Sequence, residues 1–228
     1  MDKKDKIKNG TKKLFLLLCI TISLVFISGC VDFLHYIGEE NNNILIDVRF
    51  TLQKLIFIAF AEMSGETVTD EYFEKEFGLS EEEFKEELSL EFPPFIKTQY
   101  EKINTQLEFG YDVQLKINKK VFNQLLEEDP NIPFVPIKSE KGIRIVLPTA
   151  MESEPDSDDE EMTAVFLASA KYKLIISKKI ISQIENVFIK VDNEVFIPGI
   201  KELPEVYLIE FPLATWVLMK KNFEINVY

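Results

Sequence analysis

The chain has 228 residues, 26 basic against 39 acidic side chains, 46% hydrophobic residues, two cysteines and one histidine. That count excludes cysteine-based and multi-histidine zinc centres within one chain, and the acidity sets the body against nucleic acid and anionic lipid surfaces. The length allows one substantial hydrophobic core.

The amino terminus carries Lys3, Lys4, Lys6, Lys8, Lys12 and Lys13, followed by an apolar run from Leu14 to Ser28. A basic stretch, a short apolar stretch and small residues before a cleavage point make an export signal. The run is shorter than the roughly 20 apolar residues of a membrane-spanning helix. It closes on Ile27-Ser28-Gly29-Cys30. This tetrapeptide resembles the lipobox of bacterial lipoprotein precursors, with Ile27 where Leu is commonest. The resemblance implies cleavage before Cys30, a diacylglycerol thioether on its sulfur and acylation of the new amino terminus. Lipidation at Cys30 is the one site it assigns. It implies a protein held by acyl chains on a cell membrane or outer membrane, facing periplasm or exterior. Residues 1–29 then form the signal peptide, 30–43 an anchor and tether, and 44–228 a single domain. Removing the six lysines and two aspartates of residues 1–29 leaves 20 basic and 37 acidic residues, a net charge of −17. Membrane attachment must therefore come from lipid, since one acyl chain is marginal and two or three are effectively permanent. Cys19 leaves with the signal, so the mature domain has no free thiol pair to cross-link.

In chain order, Ile44, Ile46 and Val48 alternate with Leu45, Asp47 and Arg49, the period of a strand. Leu52, Leu55, Ile56, Ala59, Phe60 and Met63 fall on one helical face, with Gly65 as its C-cap. That stripe reads first as a core-facing helix and second as a membrane-surface helix. The acidic stretch from Thr67 to Glu91 reads as two short helices with Phe73, Phe77, Phe84 and Leu88 inward. Ser80 and Glu83 form a capping box there. Its acidic face is either solvated or a dock for a basic partner. Ile96, Tyr100, Ile103 and Leu107, after Pro93 and Pro94, predict a further helix.

Val113, Leu115 and Ile117 predict a strand, Asn118 caps a helix bearing Val121, Phe122, Leu125 and Leu126, and Asp129 to Pro136 reads as an extended surface segment. Ile143, Ile145 and Leu147 predict another strand. Phe166, Ala168, Ala170, Tyr172, Leu174 and Ile176 predict a long one. Asp192-Asn193 reads as a hairpin turn between Val187–Val191 and Val195–Ile197. Val206–Phe211 and Phe223–Val227 close the sheet, with a short helix within 212–219. The expected fold is α+β, an antiparallel sheet with helices packed on one face.

The chemistry is mostly absent. No two mature glycines are close enough for a phosphate-cradling loop. His35 is the one histidine and falls in the expected tether; a Ser-His-Asp triad would have to use it, and that position speaks against one. Glu152 to Glu161, inside a loop near 150–162, holds seven acidic residues; Asp156-Ser157-Asp158-Asp159-Glu160 opens like a calcium loop, but Glu161 replaces the glycine such a loop needs at its sixth position. It reads as a solvated loop, with weak divalent binding as the alternative. No catalytic residue, metal ligand or cofactor is expected, and no pair of acids is singled out.

Ser28-Gly29-Cys30-Val31-Asp32, followed by a tether, a strand and a helix, is similar to lipoproteins of spirochaete type. The same layout has a distant likeness to LppM-type lipoproteins, whose fold is β-rich and lipid-binding. The expected role is thus a non-enzymatic envelope lipoprotein, an interaction or structural module. The alternative is a carrier of lipid or another apolar ligand, with Ala168 and Ala170 making room on the long strand. The expected partners are the membrane, through Cys30, and a lipid or protein ligand.

Overall fold

The computed structural model describes residues 31–64, 68–78, 80–128, 132–139, 142–148, 167, 170–217 and 223–228. Twelve strands and five helices occur among them. The first strand, β1 (Val31–Glu40), runs antiparallel to β2 (Asn43–Gln53) from Val31 opposite Leu52 to Glu40 opposite Asn43. Asn41 and Asn42 both have positive φ, as the two-residue turns that match strand twist require. After β2 come α1 (Lys54–Ser64), α2 (Asp70–Phe77) and α3 (Glu81–Glu91). The hairpin β3 (Lys97–Asn104) and β4 (Glu108–Asn118) follows, then α4 (Lys119–Glu128). The rest is β5 (Pro136–Ser139), β6 (Gly142–Leu147), β7 (Lys171–Ser177), β8 (Val187–Val191), β9 (Glu194–Phe196), β10 (Gly199–Glu202), β11 (Val206–Pro212), α5 (Ala214–Val217) and β12 (Phe223–Val227).

Two sheets result. Seven strands lie in the order β10-β11-β7-β1-β2-β4-β3, and five in the order β5-β6-β12-β8-β9. The larger sheet is mixed, because β1 and β7 run parallel with Phe33 beside Tyr172 and His35 beside Leu174. Alternate residues of both sheets are buried in one contiguous core. Phe33, Ile37, Ile46, Leu115, Leu174 and Ile209 come from the larger sheet; Ile145, Val187, Ile189, Phe223, Ile225 and Val227 come from the smaller. Phe211 of β11 stacks on Phe223 of β12 with ring centroids 5.5 Å apart, joining the two layers.

The architecture corrects the expected α+β fold. It is mainly β, and a second sheet rather than a helical layer shares the core with the first. Two segments account for the difference. Val31 to Asn43 is not a tether: β1 begins at Val31 and lies in the middle of the larger sheet. The alternation of Val31, Phe33, His35 and Ile37, all buried, is the signal for it. The segment holding Tyr100 and Ile103 is β3, not a helix. As an edge strand it is buried only in part, so its alternation is faint and a helical spacing shows through. Pairing with β4 from Lys97 opposite Lys116 to Asn104 opposite Phe109 decides the matter. The turn is closed by Thr105, whose hydroxyl accepts from the main-chain amides of Leu107 and Glu108.

Other expectations hold with adjustments. The Ser80–Glu83 capping box is formed in both directions, and Asn118 Oδ1 accepts from Lys120 N at the start of α4. The hairpin across Asp192-Asn193 pairs β8 with β9. Among the described side chains of α1, Lys54 and Ile56 are buried while Leu55 and Ala59 face solvent, so these two residues of the expected apolar face point away from the core. The long strand is shorter than expected: β7 starts at Lys171, and Leu167 belongs to a helical turn whose carbonyl accepts from Ala170 N. Phe166 and Ala168 lie outside the described residues, as do the acidic stretch within 149–166 and Gly65.

Candidate functional site

The one site assigned from sequence, Cys30, lies outside the described residues, immediately before the first residue of β1. The described domain contributes a groove, a carboxyl pair that sequence alone did not single out, and a buried histidine and lysine.

The groove, of about 900 Å3, runs between α3 and the β3–β4 hairpin. Phe84 and Leu88 of α3 line one side; Thr98, Tyr100, Tyr111, Asp112 and Gln114 line the other. Phe84 stacks on Tyr111 at 4.8 Å and leans on Tyr100 at 4.7 Å, so one aromatic side chain ties the helix to the hairpin. The groove follows β3, the last strand of the sheet, and no strand among the described residues pairs with the other side of its backbone.

Asp112, in the groove wall, belongs to a carboxyl pair. It lies opposite Arg49 on β2, and Asp47 lies opposite Gln114, so the two aspartates are diagonal neighbours on the sheet face turned away from the core. Asp47 is pushed up to about 6, first by burial, then by its hydrogen bond to Asp112 and the charge of that group; Arg49 opposes the shift. Asp112 Oδ1 is buried and meets no donor from the other described residues. A proton on Asp47 supplies the missing donor, and two adjacent carboxylates resist simultaneous ionisation. The pair can therefore hold one proton near neutral pH. Neither a histidine nor a cysteine is there to use it.

His35, the buried histidine, corrects the tether placement. It is fully buried in the middle of β1. Its Nδ1 lies 2.7 Å from Tyr172 Oη, and Phe134, at positive φ, packs edge-on against the ring at 5.8 Å. Burial lowers its pKa to about 3, offset in part by the Phe134 main chain, whose approach is too poor to make a full hydrogen bond to Nε2. Burial likewise pushes the Tyr172 hydroxyl well up. Both groups are neutral at physiological pH. Tyr172 donating to Nδ1, with the ring proton on Nε2 towards the Phe134 carbonyl, fits these contacts. The pair is enclosed by aromatic rings: Phe33 and Phe211 stack on Tyr172, each at 4.7 Å, and Trp216 meets it edge-on. His35 thus has a structural place in the core.

Lys54 is buried as well, bound to Asp70 and to Asn104 Oδ1. Glu74 binds both Lys102 and Asn104, and Phe73 packs on Phe109. This network fastens α2 to the β3–β4 hairpin. No family model, curated protein or solved structure matches the chain. No helix among the described residues is long and apolar enough to cross a membrane.

Proposed function

We propose that the protein is a membrane-anchored envelope lipoprotein held through Cys30, and that its β domain serves as a non-enzymatic interaction module. The observation that carries the anchor is Ile27-Ser28-Gly29-Cys30 behind a basic and apolar leader. The groove along β3 supports the interaction role. Its aromatic floor and the strand edge beside it suit an extended segment of a protein partner, added as a further strand. Lys97, Glu101 and Lys102 on β3 carry both charge signs, which disfavours indiscriminate edge pairing.

Of the two alanines named for the carrier alternative, Ala168 lies outside the described residues and Ala170 is buried. Tyr172 is buried as well, and the rings of Phe33, Phe211 and Trp216 fill the space around it.

Two measurements test the reading. Cys30→Ala should abolish incorporation of radiolabelled fatty acid and move the chain out of the detergent phase; continued labelling overturns the anchor. A photo-crosslinking residue at Gln99, in the groove, should trap a discrete protein partner in cells, whereas one at Asn193 on the β8–β9 hairpin should not. Equal trapping at both, or none at Gln99, overturns the groove as the recognition surface.

A further inference from the structure

Cys30 is joined directly to Val31, and Val31 is already a buried, paired residue of β1. No flexible spacer separates the acylated position from the folded sheet; the link is one residue, roughly 3.5 Å of chain. An anchor this short fixes which end of the domain meets the bilayer.

The strand directions define that end. β1, β4, β7 and β10 begin there, and β2, β3 and β11 finish there. It carries α1, which leaves the end of β2, and the turn of 105–107 between β3 and β4. Lys54 N donates to Leu107 O at 2.8 Å, so the start of α1 and this turn are adjacent. Leu55 is 58% exposed and Leu107 55%. Ile197, 78% exposed, lies just before β10 at the same end. Adjacent strands are about 4.8 Å apart, which puts β4 roughly 10 Å to the side of β1. The opposite end of the sheet is mostly polar: it holds the Asn41-Asn42 turn, Lys97, Lys116 and the Lys119–Glu39 ion pair, with Phe95, 43% exposed, as its one large exposed apolar side chain among the described residues.

We propose that the domain rests on the bilayer by the end at which β1 begins, with Leu55 and Leu107 inserted among the lipids beside the acylated Cys30. The inference rests on lipidation of Cys30 and adds an orientation to it. The occupant of these apolar side chains is the lipid surface itself, because the tether length leaves no room for another layer. A body of net charge −17 has no electrostatic attraction to anionic headgroups, so contact must be made by apolar side chains. Glu62, exposed on the same side of α1 as Leu55 and Ala59, and Asp70 of α2, whose side chain is 78% exposed and which is bound to Lys54 at this end, limit the depth to the interface.

The test uses the full lipidated chain reconstituted in phosphatidylcholine vesicles whose acyl chains are brominated. Trp216 is the one native tryptophan and is buried, so wild type supplies the background. Leu55→Trp and Leu107→Trp should show blue-shifted emission quenched by the bromine. Leu90→Trp, on α3 and 80% exposed, should show neither. Folding of each variant is checked by its melting temperature, and each of the two insertion sites reports independently. A labelled chain with no quenching at Leu55 and Leu107, or with equal quenching at Leu90, overturns the orientation while leaving the anchor intact. A wild-type chain that takes up no labelled fatty acid overturns both.

Discussion

His35 and Asp47 are perturbed in ways that make stability depend on pH with opposite signs. The folded pKa of His35, about 3, lies below its unfolded value of about 6.5. Above pH 6.5 it is neutral in both states. As pH falls the unfolded chain takes up a proton that the folded chain refuses, and stability drops through the window from 6.5 to 3. Between pH 7 and pH 5 this amounts to about 2 kcal/mol. Comparing urea unfolding of wild type and His35→Phe at those two pH values should show a smaller acid loss in the variant; equal losses would place the His35 ring in contact with water. Asp47 runs the other way. Its folded pKa of about 6 exceeds the unfolded value, so the stabilisation is complete below pH 4 and is lost as pH rises through 6. Asp47→Asn, which keeps a hydrogen-bond donor towards Asp112, should therefore raise the melting temperature at pH 8 and leave it nearly unchanged at pH 3.5. An equal change at both pH values would mean that the two carboxyls do not share a proton. Both aspartates occupy outward positions in plainly alternating strands. Their types and directions are legible in the sequence, and their adjacency is not, because β2 and β4 are far apart in the chain and the register that sets 47 beside 112 belongs to the paired sheet.

Among the elements, the legible ones are those whose signals are local. The Ser80–Glu83 capping box, the Asp192-Asn193 hairpin and the alternation of Ile143, Ile145 and Leu147 all appear as read. β7 is the instructive partial case. Tyr172, Leu174 and Ile176 do share the buried face, but Ala170 lies before the strand, with its carbonyl accepting from Leu213 N at 2.9 Å. That bond ties the entry of β7 to the exit of β11 and leaves Ala170 enclosed. Ala170→Phe should destabilise the protein by about 1–3 kcal/mol through overpacking, measured by chemical unfolding. A neutral effect, with saturable uptake of fluorescent fatty acid by wild type, would revive an internal apolar cavity.

At the scale of the whole molecule, the chain passes from the smaller sheet to the larger between Leu147 of β6 and Lys171 of β7. The acidic stretch from Glu152 to Glu161 falls inside that connection. Removing ten of its residues changes loop-closure entropy only logarithmically, by about 0.5 kcal/mol. The melting temperature of the deletion should stay within a few degrees of wild type in the absence and presence of calcium. A large drop, or one seen only with calcium, would mark an ion site there. By itself the sequence determined the acidity of the chain and most of the strands, since each depends on composition, local spacing or a turn residue. Only the tertiary structure decided that Val31–Glu40 is a central strand, that β1 and β7 lie parallel, that a second sheet shares the core in place of helices, and that His35 is buried beside Tyr172. These depend on which distant segments pair. Burial of one sheet against another rewards the pairing as a whole, and no window of neighbouring residues contains that free energy.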